Sequence, residues 1–93
     1  MARFAAILTF GPDTERRLEI RPNHRAYLQQ LVASGKLHES GPWTDDSGAL
    51  IIYEAADEAE ARSLLAADPY AGGGEGVIAR VEIKGWNRVT PAS

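Results

Sequence analysis

The stretch RFAAILTF at residues 3–10 is apolar at almost every position and is followed directly by Gly11 and Pro12. It is too short for a core helix and therefore predicts a strand with apolar side chains on both faces. The stretch GALIIYEA at residues 48–55 has the same character. Two such strands predict a sheet that has to be covered on both sides.

Two helical patterns lie between the predicted strands. The first begins at Pro22, because proline fits the first helical position, where its missing N–H would have no partner. It ends at Gly35, which accepts the left-handed conformation of a helix stop. The second is opened by Asp57 and Glu60, a D-x-x-E variant of the capping box, and is ended by Pro69. The apolar stripe of the first helix comprises Tyr27, Leu28, Leu31 and Val32.

Residues 37–43 (LHESGPW) and 77–86 (VIARVEIKGW) supply the second and last strands. The resulting order, βαββαβ, predicts an α+β fold of the ferredoxin-like type, an antiparallel four-stranded sheet with both helices on one face. The second apolar face of strands 3–10 and 48–55 would then be uncovered in a monomer. We therefore expect a homodimer packed sheet to sheet.

The composition limits the chemistry. The 93 residues and 10.1 kDa suit one domain over residues 1–93. The absence of cysteine excludes disulfides, thiolate catalysis and thiolate-bound metals. The net charge of −3 argues against a nucleic-acid partner. No apolar run reaches the ~18 residues of a membrane span, and no signal peptide is recognised, so we expect a cytoplasmic protein without a membrane partner.

The predicted topology brings His24 and Asp68 to the same end of the sheet, each on the inward stripe of its helix. A carboxylate at the C-terminus of a helix faces the negative end of the dipole and calls for a compensating partner. A hydrogen bond to His24 would fix the imidazole tautomer and leave the other ring nitrogen in a cleft as a general acid or base. The alternative is a satisfied helix-entry histidine and an aspartate that bonds backbone amides around Pro69.

Other side chains are weaker candidates. Arg16, Arg17 and Arg21 precede the predicted first helix at the same end and could hold an anionic carboxylate or phenolate, or be solvated surface groups. Trp43 closes the second strand near that end and could line a pocket. His38 is expected to be a surface or interface residue, and no carboxylate shows ligand spacing with either histidine, so we predict no metal. The glycines of 71–76 predict a flexible lid rather than a phosphate-binding loop.

Three motifs carry a resemblance to a known family. His24 near the start of the first helix, Gly41-Pro42 at the end of the second strand and Asp68-Pro69-Tyr70 after the second helix resemble the YCII-related (YciI-like) family, and the likeness extends over nearly the whole chain. The resemblance implies a dimeric α+β barrel of the ferredoxin-like type with a proposed His–Asp site. It adds Gly41, Pro42 and Tyr70 to the expected substrate-binding residues. Dehydrochlorination of hydroxylated chloroaromatics is one reaction in the family.

We therefore expect a small enzyme of the lyase or isomerase type that works without a cofactor on a small, anionic cyclic or aromatic metabolite. His24 would move the proton, and Asp68 would orient the imidazole. The alternative is a non-catalytic, dimeric module that binds a small ligand or acts as an accessory subunit, because the fold alone does not decide function. A protein-interaction role for the acidic region 39–75 is the least favoured interpretation.

Overall fold

Four strands and two helices form the computed structural model, which describes residues 2–89. The sheet has the order β2-β3-β1-β4, and every neighbouring pair is antiparallel. A short 3-10 turn at Ala71–Gly73 precedes the last strand. These observations confirm the predicted α+β, ferredoxin-like βαββαβ architecture. The elements are β1 (Ala2–Phe10), α1 (Thr14–Ala33), β2 (Leu37–Pro42), β3 (Gly48–Ala55), α2 (Glu58–Ala66) and β4 (Ile78–Trp86).

The central pair, β1 and β3, has apolar side chains on both faces, as predicted. Ala6 lies opposite Ile51, and their side chains point toward the helices. On this face the core is formed by Ala6, Leu8, Leu31, Leu37, Ile51, Tyr53, Ala55, Ala61, Leu65 and Ile83. Strand alternation directs the next residues to the other face. This face, which we call the open face, carries Ala5, Ile7, Leu50 and Ile52, and neither α1 nor α2 packs against it.

α1 begins at Thr14, well before Pro22, so the predicted helix start was wrong. Asp13 caps the helix, and its carboxylate accepts a hydrogen bond from the backbone N–H of Arg16 at 3.1 Å. Pro22 lies inside the helix, where it omits one backbone hydrogen bond. The inward positions of the extended helix, seven residues apart, are Arg17, His24 and Leu31. Two of these three are polar, which hides the apolar periodicity that normally marks a helix.

The end of α1 and the start of α2 follow the prediction, whereas α2 ends before its predicted end next to Pro69. Gly35 has a φ of 77°, and the N–H groups of Gly35 and Lys36 donate to the last carbonyl groups of α1. The Asp57 carboxylate accepts from the N–H of Glu60, while the Glu60 carboxylate accepts from the N–H of Ala56, both at 2.9 Å. The bond from Ala56, assisted by Lys36, lowers the pKa of Glu60. α2 stops at Ala66, which leaves Asp68 just beyond the helix.

One residue of α1 departs from its predicted face, and β4 contains an irregularity. Val32 was predicted to be inward but is 55% exposed. In β4 an irregularity opposite Thr9 and Phe10 shifts the alternation, so that Ile78 packs against the core. Within residues 2–89, neither helix combines the length and the hydropathy needed to cross a membrane.

Candidate functional site

His24 and Asp68 meet between the two helices. The Nδ1 atom of His24, on α1, lies 2.8 Å from each carboxylate oxygen of Asp68. His24 is 8% exposed and Asp68 is 1% exposed. The predicted contact between these residues is therefore confirmed. Because a carboxylate only accepts hydrogen bonds, Nδ1 carries a proton, and in the neutral imidazole the lone pair resides on Nε2.

Asp68 also organises the chain that follows α2. Its Oδ1 atom accepts a hydrogen bond from the backbone N–H of Tyr70 at 2.9 Å, and its carbonyl oxygen accepts from the N–H of Ala71 at 2.9 Å. The two alternatives drawn from the sequence thus coexist, since the same carboxylate holds the imidazole and bonds an amide beyond Pro69. The carboxylate is fixed from both sides, and it fixes the orientation of His24 in turn.

Tyr70 holds the other side of the imidazole. Its ring stacks on His24 with a centroid separation of 3.8 Å and an interplanar angle of 10°. The Tyr70 ring also packs edge to face against Phe10, with a centroid separation of 5.9 Å. Burial raises the pKa of Tyr70, and the positive charges of Arg17, Arg21 and Arg25 oppose the rise. These arginines therefore lie close enough to the phenol to act on it electrostatically.

His24 and Tyr70 open onto a cavity of about 210 Å³. A dry protein cavity of about 150 Å³ can hold benzene, so this volume suits one substituted ring. We call this space the His24 cavity. It is lined by Phe10, Arg17, Arg21, His24, Arg25, Leu28, Ser40, Gly41, Pro42, Asp46, Ala49, Ile51 and Tyr70.

Arg17 is a buried, tightly held member of the cavity wall. It is 5% exposed, and its guanidinium donates to Oδ2 of Asp46 at 2.9 Å. The guanidinium carbon lies 4.2 Å from the centroid of the Phe10 ring, in cation–π geometry. Its Nε atom is buried and has no acceptor in the described part of the chain. Arg17 thus links α1 to the β2–β3 turn, where Asp46 adopts a φ of 60°.

Five of the seven predicted substrate-binding residues line the His24 cavity, namely Arg17, Arg21, Gly41, Pro42 and Tyr70. The other two, Arg16 and Trp43, do not. Arg16 is exposed one position away from the inward Arg17, so the helical rotation turns it to solvent. Strand alternation puts Trp43 on the open face, beside a second cavity of about 270 Å³ that Leu50 and Ile52 also line.

Arg25, Ser40 and Asp46 are the polar cavity residues that sequence reasoning missed. None of these residues was among the predicted site residues. For Arg25, the spacing of four residues from Arg21 was the available sequence signal. The residues next to Asp46 in the sequence give no sign that Asp46 pairs with Arg17. His38, in contrast, lies outside the His24 cavity and within 3.9 Å of the Glu39 and Glu54 carboxylates.

Two tyrosines lie in the electrostatic range of Asp68. The hydroxyl of Tyr27 donates to the carbonyl oxygen of Leu64 at 2.6 Å, and the hydroxyl of Tyr53 is buried. Burial and the negative charge of Asp68 raise the pKa of both groups, strongly for Tyr53. Both tyrosines therefore stay neutral at physiological pH, and neither places a phenolate anion next to the carboxylate of Asp68.

The glycine-rich segment does not cover the cavity. None of residues 71–76 is among the lining groups, so the predicted lid is not seen. A Cβ atom on Gly73 would lie 2.5 Å from the side chain of Val77, which shows close packing at this point. In the part of the chain that the structure describes, no three His, Asp or Glu side chains converge in a metal-binding group.

Comparison with solved structures identifies proteins of the same fold. 5-Chloro-2-hydroxyhydroquinone dehydrochlorinase (TftG) from Burkholderia phenoliruptrix AC1100, in complex with 2,5-dihydroxybenzoquinone, is similar to this chain with a TM-score of 0.79 and 27% identity, covering 94% of this chain and 95% of that one. Rv0793 from Mycobacterium tuberculosis has a TM-score of 0.57 and 14% identity over 99% and 100% of the two chains. PA3566 from Pseudomonas aeruginosa has the same two values over 97% and 97%.

Sequence comparisons address the family. No match was found among curated proteins. The family model described as the YCII-related domain matches residues 2–87, nearly the whole chain. This match agrees with the resemblance carried by His24, Gly41-Pro42 and Asp68-Pro69-Tyr70. The chain therefore belongs to the YCII-related domain family.

Proposed function

We propose that the protein is an enzyme of the lyase or isomerase type that uses His24 as a general acid–base and processes a small, anionic cyclic or aromatic compound without a cofactor. The observation that carries the proposal is the bond between Nδ1 of His24 and Asp68 at the wall of a one-ring cavity. This bond leaves Nε2 as the basic atom. Asp68 orients the imidazole and stabilises the positive charge that it acquires on protonation.

The reaction step follows from these roles. Nε2 of His24 removes a proton from a hydroxyl group or an acidic carbon of the bound ring. In an elimination, the electron pair of the resulting oxyanion moves into the ring, and the imidazolium returns the proton to the ring carbon that bears the halogen. His24 then removes a proton from a second hydroxyl group, and the electron pair of that O–H bond expels the halide, so that the ring becomes a hydroxyquinone and one equivalent of hydrogen halide is lost. In an isomerisation, the double bond moves, and the imidazolium returns the proton at another atom. Neither route needs an external oxidant. In the isomerisation no electrons leave the substrate, and in the elimination the halide carries away the electron pair of its bond to the ring.

The similarity to TftG supports the elimination route. That protein is a dehydrochlorinase, and it is similar to this chain over nearly its whole length at 27% identity. The removal of a proton and a chloride ion from a chlorinated hydroquinone fits the step described above. Arg17 and Arg21 in the wall of the His24 cavity would favour the phenolate forms of such compounds.

The test is turnover of 5-chloro-2-hydroxyhydroquinone and a panel of hydroxylated single-ring halides by the purified protein. We expect chloride release together with the absorbance of a quinone product. A protein that binds these rings but releases no chloride and isomerises none of them would contradict the proposal. That result would favour the non-catalytic ligand-binding module.

The proposal includes a homodimer that packs open face to open face. Ile7 and Leu50 are partly exposed on the open face, and Trp43, which is 41% exposed, lies beside Leu50. Together with the buried Ala5 and Ile52 they give this face the apolar character that marks an interface. Sedimentation is expected to show a dimer for the natural chain and a monomer for Ile7→Lys, which places a charge on this face. Val32→Lys, at an exposed apolar position on α1, is the control and should remain dimeric. A monomeric natural chain would contradict the proposal.

A further inference from the structure

Three arginines follow one another along the cavity side of α1. Arg17, Arg21 and Arg25 are spaced by four residues, so their side chains are neighbours on the helix surface, and all three line the His24 cavity. Like charges at this spacing destabilise a helix, and Arg17 also lies near the N-terminal end of α1, where the dipole disfavours cations. Such a row is unfavourable for folding and calls for a compensating negative charge.

The protein neutralises only one of the three. Asp46 pairs with Arg17 at 2.9 Å. Within residues 2–89, no carboxylate lies within 4.0 Å of a guanidinium nitrogen of Arg21 or Arg25. Arg21 is half-buried and Arg25 is exposed, so this pair lies between the cavity wall and solvent. His24 falls between them in sequence, and its ring opens into the same cavity.

We infer that Arg21 and Arg25 form a clamp for the acidic group of the ligand, which is a single-ring compound with an ionised carboxylate or ring oxygen directed toward solvent. Two guanidinium groups can together donate several charge-assisted hydrogen bonds to one such group. The guanidinium of Arg17 is already paired with Asp46 and packed on the Phe10 ring, so we assign the clamp to Arg21 and Arg25, which have no carboxylate partner among residues 2–89. The cavity volume of about 210 Å³ admits one ring.

The clamp deepens the proposed function, and it rests on the same cavity. It orients the ring by its charged edge, so that the opposite part of the ring enters the cavity. Neutral rings of the same shape would enter without this orientation and with lower affinity. The clamp therefore selects acids over their uncharged analogues.

The test is calorimetric titration of the purified protein with benzoate and with its neutral analogue benzamide. We expect the natural chain to prefer benzoate. Arg21→Gln should weaken benzoate binding about tenfold, as expected for a partly buried charged hydrogen bond. Arg25→Gln should weaken it about threefold to fivefold because its group is exposed. Both variants should weaken benzamide binding less than benzoate binding and reduce the salt dependence of benzoate binding.

The matched control is Arg62→Gln, which removes one positive charge from the exposed side of α2. If this variant weakens benzoate binding as much as Arg21→Gln does, the effect comes from net charge and the inference is wrong. A natural chain without preference for benzoate over benzamide would also overturn it. These titrations need no turnover, so an intact clamp in a protein without activity would refute the proposed enzyme and leave the clamp standing.

Discussion

Replacing His24 by asparagine is expected to lower kcat about 100- to 10,000-fold, with little change in KM, which is the usual contribution of a positioned general acid–base. Asparagine can place its amide nitrogen near the position of Nδ1 and still donate to Asp68. It has no atom equivalent to Nε2. The variant therefore removes the base and keeps the buried contact. Steady-state kinetics on the substrate identified by the turnover panel measures the effect.

His38→Asn is the matched control, because His38 is the second of the two histidines and lies outside the His24 cavity. It should retain the kcat of the natural chain. Circular dichroism of both variants should match that of the natural chain and so exclude unfolding as a cause. Full turnover by His24→Asn, or an equal loss in both variants, would show that the imidazole of His24 does not move the proton.

Replacing Asp68 by alanine is expected to lower the free energy of unfolding by about 2 to 6 kcal/mol. The carboxylate accepts hydrogen bonds from Nδ1 of His24 and from the N–H of Tyr70. Without it, both donors are left in a buried site, where each unsatisfied group costs about 1 to 3 kcal/mol. The loss is a large part of the stability of a small domain, typically about 5 to 15 kcal/mol. Equilibrium unfolding in urea measures it.

Asp45→Ala provides the comparison for this variant. Asp45 accepts a hydrogen bond from the N–H of Ser47, two residues on, just as Asp68 does from Tyr70, but its site is exposed. Its replacement should therefore destabilise the protein much less. Similar losses in the two variants would assign the role of Asp68 to its local turn alone. The link to His24 would then contribute nothing to stability.

The fold was predictable from strand character and topology. Residues 48–55 were predicted as a strand and form β3 with those bounds, because apolar side chains on both faces fit only a central strand. The start of α1 was missed. Its first half buries Arg17, whose charge is met by Asp46, a partner 29 positions away. This compensation of a buried charge depends on tertiary structure, so no local sequence pattern predicts it.

The candidate site was predictable in part for the same reason. The contact between His24 and Asp68 follows from helix directions, which the βαββαβ order determines. The cavity depends on side-chain directions that need the true start of a helix or the register of a strand. With α1 extended back to Thr14, Arg25 falls on the row of Arg21. Strand alternation at the end of β2 places Trp43 on the open face, away from the His24 cavity.

The bond between His24 and Asp68 joins positions 44 residues apart, one in each βαβ half of the chain. The bond requires that α1 and the segment after α2 are both in place on the sheet. Under the proposed function, a chain with only one half folded would therefore show no turnover. After dilution from denaturant, the time course of recovered turnover would report when the two halves come together. We expect it to lag behind the recovery of the helical circular dichroism signal.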